Sequence, residues 1–190
     1  MCLPPARLSG QAPLLLACKQ MSVDELHQRV AGAIAELLNE LADHPALYEQ
    51  LTSVLAQPGR FFTSQGMNKW TLFIVETCAS LGGDLTVTPY AAASVELMLA
   101  AGDVIDDVVD GDWKPNFGSI GSGFNSGFAL SLLAQRALDH LGATCSPERL
   151  AYIRSIVNTS VLKSCAGEDL DLRLEHVVKA GVEQAHTIFC

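Results

Sequence analysis

Residues 91–112 read AAASVELMLAAGDVIDDVVDGD, and this stretch decides the fold of the chain. It follows Thr88 and Pro89, a pair that predicts a helix start with Thr88 as the N-cap and Pro89 as the first residue. A helix of about 22 residues is then expected to run to Gly111. Its body consists almost entirely of Ala, Val, Leu, Met and Ile, which predicts burial over most of its circumference.

The same helix carries a concentration of carboxylates toward its C-terminal end. At 100° per residue these side chains share an arc of about 100°. They are Glu96, Asp103, Asp106, Asp107 and Asp110. Like charges repel at these spacings, anions are unfavourable near a helix C-terminus, and burial penalises the ionised form. Because no basic residue within the segment offsets these costs, the pattern predicts an acidic stripe that faces a cavity and binds a cation, with Mg²⁺ favoured by all-oxygen ligands.

The charge of the whole chain is concentrated in this window. The 190 residues carry a net charge of −9, and eight acidic residues but no Lys or Arg lie between Lys69 and Lys114. The lack of a basic patch argues against a nucleic-acid partner. With 49% apolar and 17% charged residues, the composition excludes a disordered or collagen-like chain. The sequence contains no run of about 18 uncharged apolar residues, so it predicts no transmembrane segment.

Helical patterns also occupy both flanks of the acidic segment. Helices are predicted over about 22–41, 45–56, 64–81, 128–141, 146–165 and 168–190, with a Gly-, Ser- and Asn-rich loop over 113–127. Residues 1–21 are predicted to be a disordered extension to a domain over 22–190. Strand-like alternation is absent, which predicts an all-α helical bundle. Six dispersed cysteines without a CxxC pair predict buried free thiols and a reducing, cytoplasmic location.

The acidic segment resembles the first aspartate-rich motif of the trans-isoprenyl diphosphate synthases, which have the class I isoprenoid synthase fold. In that family a Glu-containing helix leads into DDxxD, here Asp106, Asp107 and Asp110. Residues 167–172, GEDLDL, resemble the family's GQxxDL with Glu in place of Gln, and residues 125–141, NSGFALSLLAQRALDHL, resemble the helix between the two motifs. The resemblance implies a helical bundle of the isoprenoid synthase type.

By resemblance, Asp106, Asp107 and Asp110 are catalytic residues that hold Mg²⁺ ions bridging to the diphosphate of an allylic prenyl substrate. Metal-assisted departure of the diphosphate would leave an allylic carbocation in an apolar pocket, where a second prenyl unit attacks it. The resemblance therefore implies a Mg²⁺-dependent prenyltransferase. It also implies a homodimer, because members of that family usually form homodimers.

The resemblance also implies further substrate-binding positions. The basic Lys69 and Lys114 would bind phosphate, and Glu168 and Asp171 would support the metal and its waters. Small residues just before the motif would leave room for a long prenyl chain. These residues are Ala101 and Gly102.

Three parts of the family pattern are missing. The family motif GGKRxRP binds isopentenyl diphosphate. In this chain it corresponds to residues 65–71, QGMNKWT, where Lys69 is the only basic residue. Arginines that follow the first motif are replaced by Lys114, which cannot form the same bidentate contact. The chain ends before the Lys-Thr and second aspartate-rich motifs, so we expect the domain to be incomplete. These departures leave open a peptide isoprenyl transferase or a class I terpene cyclase on the same fold, or a non-catalytic subunit that needs a partner chain.

Overall fold

The structure, a computed structural model, describes residues 23–58, 60–63, 69–114 and 117–174. Six α-helices account for most of these residues. The helices are α1 Val23–Asn39, α2 Pro45–Leu55, α3 Lys69–Ser80, α4 Thr88–Val109, α5 Ile120–Leu141 and α6 Pro147–Leu174, with a 3-10 turn, Phe61–Thr63, before α3. No strand occurs in these ranges, so the predicted all-α class is confirmed. The predicted extension over 1–21 and the end of the last predicted helix, 175–190, lie outside the described residues.

The core of the bundle lies around α4. This helix packs most extensively on α5, and α1 and α3 pack on other parts of its surface. Large apolar side chains from α1, α2, α4 and α5 are fully buried there, among them Ile34, Leu37, Leu51, Leu55, Leu97 and Leu130. The apolar body of α4 is thus buried as its composition predicts, because helices cover it on several sides.

The predicted loop over 113–127 is wrong from residue 120 onward, because α5 begins at Ile120. The hydroxyl of Ser119 accepts a hydrogen bond from the backbone N–H of Ser122 at 3.1 Å, which is N-cap geometry. The Gly- and Ser-rich composition that predicts a loop therefore belongs to the first two turns of a helix.

Glycines in this part of α5 allow it to approach α4 closely. A Cβ at Gly123 would lie 2.6 Å from Cγ2 of Val108, and one at Gly127 would lie 2.7 Å from Cγ1 of Ile105. No side chain fits at such distances without a shift of its neighbours. The two glycines are therefore required by packing against α4 rather than by loop conformation.

Two predicted helices, 146–165 and 168–190, form one helix as far as the structure describes them. The sequence around Gly167 predicts a break, but α6 is continuous to Leu174 and Gly167 is buried within it. A glycine costs a helix interior only about 1 kcal/mol, so it does not end a helix without further signals. The Ser146 hydroxyl caps the start of α6, where it accepts a hydrogen bond from the N–H of Arg149 at 3.3 Å.

The predicted C-terminal end of α3 is confirmed, whereas the predicted N-cap of α4 is wrong. Gly82 directly follows the predicted helix range 64–81 and has a φ of +69°, a conformation that favours glycine, and α3 ends at Ser80. Thr88 is the first residue of α4 rather than its N-cap. Its hydroxyl donates to the carbonyl of Leu85 at 2.7 Å instead of accepting from a helix N–H, so its predicted capping role is wrong.

Exposed apolar side chains follow one side of α5. Ile120, Phe124, Phe128 and Leu132 recur every four residues, and each is more than half exposed. This spacing places them on one helix face. None of the described helices has the length and apolar character needed to cross a membrane.

The described cysteines are free thiols, but they are less buried than predicted. Cys78 and Cys145 are half-buried and Cys165 is exposed. Cys165 lies on α6, which contributes little to the core, and the prediction of burial is therefore wrong for it.

Candidate functional site

The aspartates of α4 lie at the C-terminal end of the helix and face outward. Asp103, Asp106 and Asp110 are exposed and Asp107 is half-buried. The apolar residues Ala101 and Val104 of the same part of the helix are buried in the core. The predicted burial of the acidic stripe is thus wrong for Asp103, Asp106 and Asp110.

The chain turns back immediately after the aspartates. Gly111, with a φ of +79°, follows the last helical residues, and the N–H of Trp113 donates to the carbonyl of Asp107 at 2.8 Å. The Trp113 indole is buried and its N–H donates to the carbonyl of Gly118 at 3.2 Å. These contacts hold the segment that carries Lys114 beside the end of α4.

The aspartates at this end of α4 repel one another. Partial burial, followed by the charges of neighbouring aspartates, raises the pKa of Asp106. These neighbours are Asp110, Asp107, Asp103 and Asp112. Burial also raises the pKa of Asp103, while the charge of Arg60 opposes this effect. The negative charge at Asp106 is therefore under-compensated by protein groups, the condition in which a cation binds most favourably.

A second acidic group, on α6, lies across from the first. Burial and then the charges of Asp106, Asp171 and Asp110 raise the pKa of Glu168. Glu168 belongs to α6 and the two aspartates to α4, so the structure brings the two motifs within electrostatic reach of each other. Asp171 is exposed one turn further along α6.

Arg60 is a site residue that the sequence pattern does not reveal. Only 8% of it is exposed, and its Nη2 donates to Oδ2 of Asp107 at 2.7 Å while Nη1 lies 3.5 Å from the carbonyl oxygen of Ala100. In the sequence it belongs to the turn after α2, 46 positions before Asp106 and outside any family motif. The one available signal is the lone base placed directly before two phenylalanines, Phe61 and Phe62.

Arg60 and Lys114 line the same cleft. It has a volume of about 370 Å³, and its walls are Gln57, Pro58, Arg60, Asp107, Asp112, Trp113, Lys114 and Phe117. The side chain of Gln50 donates to the carbonyl of Phe117 at 2.7 Å and fixes the far wall. Two cationic side chains and two carboxylates thus share one polar depression beside the end of α4.

Glu96 takes no part in the acidic face, although the helical projection includes it. It is 3% exposed, and its Oε1 accepts hydrogen bonds from the backbone N–H of Thr71, at 3.1 Å, and from the Thr71 hydroxyl. Thr71 is the third residue of α3, whose N–H has no partner within the helix. Glu96 therefore caps α3 and links it to α4. Burial raises the pKa of Glu96, and the two Thr71 hydrogen bonds act in the opposite direction.

Replacing Glu96 tests this capping role. We expect Glu96→Ala to lower the free energy of unfolding by about 1–3 kcal/mol, because the buried N–H of Thr71 loses its acceptor. Glu96→Gln keeps an acceptor and removes the charge. Because the pKa of Glu96 is raised on folding, its ionisation costs stability, and this cost appears as pH rises from the ordinary glutamate value through the folded value.

Urea unfolding of wild type and Glu96→Gln over a pH series measures the effect. The stability of wild type relative to Glu96→Gln is expected to fall as pH rises through that interval. A relative stability that stays constant or increases with pH would contradict the assignment.

The remaining predicted substrate-binding residues lie in different environments. Ala101 is 2% exposed and packs where α5 approaches, since its carbonyl oxygen would lie 3.2 Å from a Cβ at Gly127. Gly102 is exposed, with open space where its Cβ would be. Of these two small residues, only Gly102 borders open space. Lys69 begins α3, and its side chain lies outside the described residues.

The donor set of the acidic face suits Mg²⁺ bound together with a phosphate ligand. Within the described ranges, no three His, Cys, Asp or Glu side chains are grouped closely enough to hold a metal by themselves. Mg²⁺ commonly uses one or two carboxylates and completes its shell with water and substrate phosphates, so it does not require such a group. Carboxylates on both α4 and α6, with an under-compensated charge at Asp106, fit that mode of binding.

Comparison of the structure with solved structures identifies its fold. One match is a crystal structure of geranylgeranyl pyrophosphate synthase, with a TM-score of 0.71 over 88% of this chain and 16% sequence identity. The chain has the isoprenoid synthase fold. It spans 50% of the length of that synthase chain. No family model and no curated protein sequence matches. The predicted isoprenoid synthase bundle is therefore confirmed as a fold.

Proposed function

We propose that this chain acts as a Mg²⁺-dependent prenyltransferase on allylic prenyl diphosphates. The observation that carries the proposal is that acidic groups on α4 and α6 lie within electrostatic reach of each other on an isoprenoid synthase fold. Asp106, Asp107 and Asp110 are the residues we assign to the metal. When bound, Mg²⁺ would neutralise charge on the departing diphosphate.

The residues of the chain have separate tasks in this reaction. Lys114 and Arg60, in the cleft beside the motif, supply positive charge for the diphosphate. Heterolysis breaks the bond between C1 of the allylic chain and the diphosphate oxygen, and the electron pair leaves with the diphosphate. The double bond of a second prenyl unit then attacks the allylic cation, and loss of a proton restores neutrality. Glu168 and Asp171, across from the motif, would orient the waters of the metal shell.

Diphosphate release from labelled geranyl or farnesyl diphosphate tests the proposal. We expect release with Mg²⁺ and none in EDTA. The prenyl product separates the possible acceptors: a longer diphosphate indicates elongation, a cyclic hydrocarbon a terpene cyclase, and a modified peptide a peptide isoprenyl transferase. Folded protein that releases no diphosphate with Mg²⁺ would contradict the proposal and favour the non-catalytic subunit.

A further inference from the structure

A cluster of aromatic and charged side chains joins several helices near the start of α4, far along that helix from the acidic motif. His140 lies in this cluster, in the last turn of α5. Its ring is stacked on that of Tyr90 in α4, with the ring centroids 4.4 Å apart and the planes inclined by 4°. Its Nε2 lies 3.8 Å from Oε1 of Glu40, in the turn after α1. One ionisable ring thus joins the end of α5 to the start of α4 and the end of α1.

Three features of this position favour a positively charged imidazole. The C-terminal end of α5 carries a partial negative charge, the carboxylate of Glu40 lies beside Nε2, and the face of the Tyr90 ring attracts cations. Tyr90 itself stays neutral, because the hydrogen bond that its hydroxyl donates to Glu36 raises its pKa, as do its burial and the charge of Glu36. Protonated His140 therefore has favourable contacts that the unfolded chain lacks.

The charged groups around His140 leave room for one more positive charge. Three of them are acidic and two are basic, and they belong to α1 and its following turn, to α5 and to α6. They are Glu36, Glu40, Asp139, Arg136 and Arg154. Arg136 donates to both carboxylate oxygens of Glu40, at 3.0 and 3.3 Å, and to Asp139 at 3.0 Å, while Arg154 pairs with Asp139 from α6. With a neutral imidazole the cluster has one negative charge in excess, and protonation of His140 balances it.

We propose that His140 is a pH-sensitive latch, which holds the start of α4 against the ends of α1 and α5 when it is protonated. A neutral imidazole keeps its stacking on Tyr90 but loses the attraction to Glu40 and to the end of α5. The stability that the latch contributes is therefore present at low pH and lost as pH rises, within the range in which histidine changes its charge. The latch is independent of the proposed catalytic function.

Urea unfolding of the full chain, as wild type and as His140→Phe, at about pH 5.5 and about pH 8 tests the latch. Phenylalanine keeps an aromatic ring against Tyr90 and cannot be protonated, and the other titrating groups cancel in the comparison. The unfolding equilibrium constant of His140→Phe divided by that of wild type is expected to be about three- to tenfold larger at the lower pH. In a Glu40→Gln background this pH effect is expected to shrink to less than about twofold, because Arg136, without its carboxylate, repels the imidazolium.

A role of His140 in packing alone gives a different result. The ratio of unfolding constants would then be the same at both pH values, and this outcome, or a larger ratio at the higher pH, overturns the latch. A pH effect that is as large in the Glu40→Gln background as in wild type overturns it as well. Should His140→Phe not fold by circular dichroism, Glu40→Gln alone decides: a larger loss of stability at the lower pH supports the latch, and an equal or smaller loss overturns it.

Discussion

Gly123→Leu is expected to lower the free energy of unfolding by about 3 kcal/mol, or to prevent folding. A Cβ at this position would lie 2.6 Å from Cγ2 of Val108 and 2.9 Å from two ring carbons of Trp113. The indole is buried and held by its hydrogen bond to Gly118, so it cannot move aside at low cost. Denaturant unfolding followed by circular dichroism measures the loss.

Gly121→Leu is the matched control two residues earlier in the same helix. Gly121 is exposed, and its Cβ would meet only the Ser119 hydroxyl at 3.6 Å, an ordinary contact. Leucine is the better helix former, so this variant is expected to gain up to about 1 kcal/mol. Equal destabilisation of both variants would mean that these residues do not form the helix described here.

Asp106→Asn is expected to reduce Mg²⁺-dependent release of diphosphate from geranyl diphosphate by about 100-fold or more. The substitution keeps the size of the side chain and removes a charge that burial and the neighbouring aspartates disfavour. Unfolding free energy is expected to stay the same or rise, because repulsion with Asp110 and Asp103 is relieved.

Asp43→Asn is the control for this experiment. Asp43 is an exposed aspartate in the turn between α1 and α2. The variant is expected to retain wild-type release. If Asp106→Asn releases diphosphate at the wild-type rate, the assignment of the motif to the metal is contradicted.

Periodic apolar segments gave most of the fold from the sequence alone. The patterns predict α1 to α4 within a few residues at the described ends, because the apolar face and the Pro and Gly signals agree there. They fail over 120–127 because a glycine that signals a turn locally can be required by tertiary contact instead, and only the position of the opposing helix distinguishes the two cases. They fail at Gly167 because a single glycine does not end a helix without further signals.

The candidate site is predictable only in part for a similar reason. Asp106, Asp110 and Glu168 follow from two local motifs, and the structure brings these residues into electrostatic reach. The projection onto one helix cannot reveal that Glu96 is hydrogen-bonded to Thr71, or that Arg60, 47 residues away in the sequence, binds Asp107. Both contacts depend on how α3 and the turn after α2 pack on α4. The sequence argument that no base offsets the acidic stripe holds only within its own segment.

Calorimetric titration with geranyl thiolodiphosphate, an analogue that resists ionisation, tests the central claim most directly. The claim is that the acidic face binds a prenyl diphosphate through Mg²⁺. We predict saturable binding to the wild-type chain with Mg²⁺, no binding in EDTA, and loss of the Mg²⁺-dependent binding in Asp106→Asn. Binding of equal strength with Mg²⁺ and in EDTA, or no binding to folded protein with Mg²⁺, would contradict it.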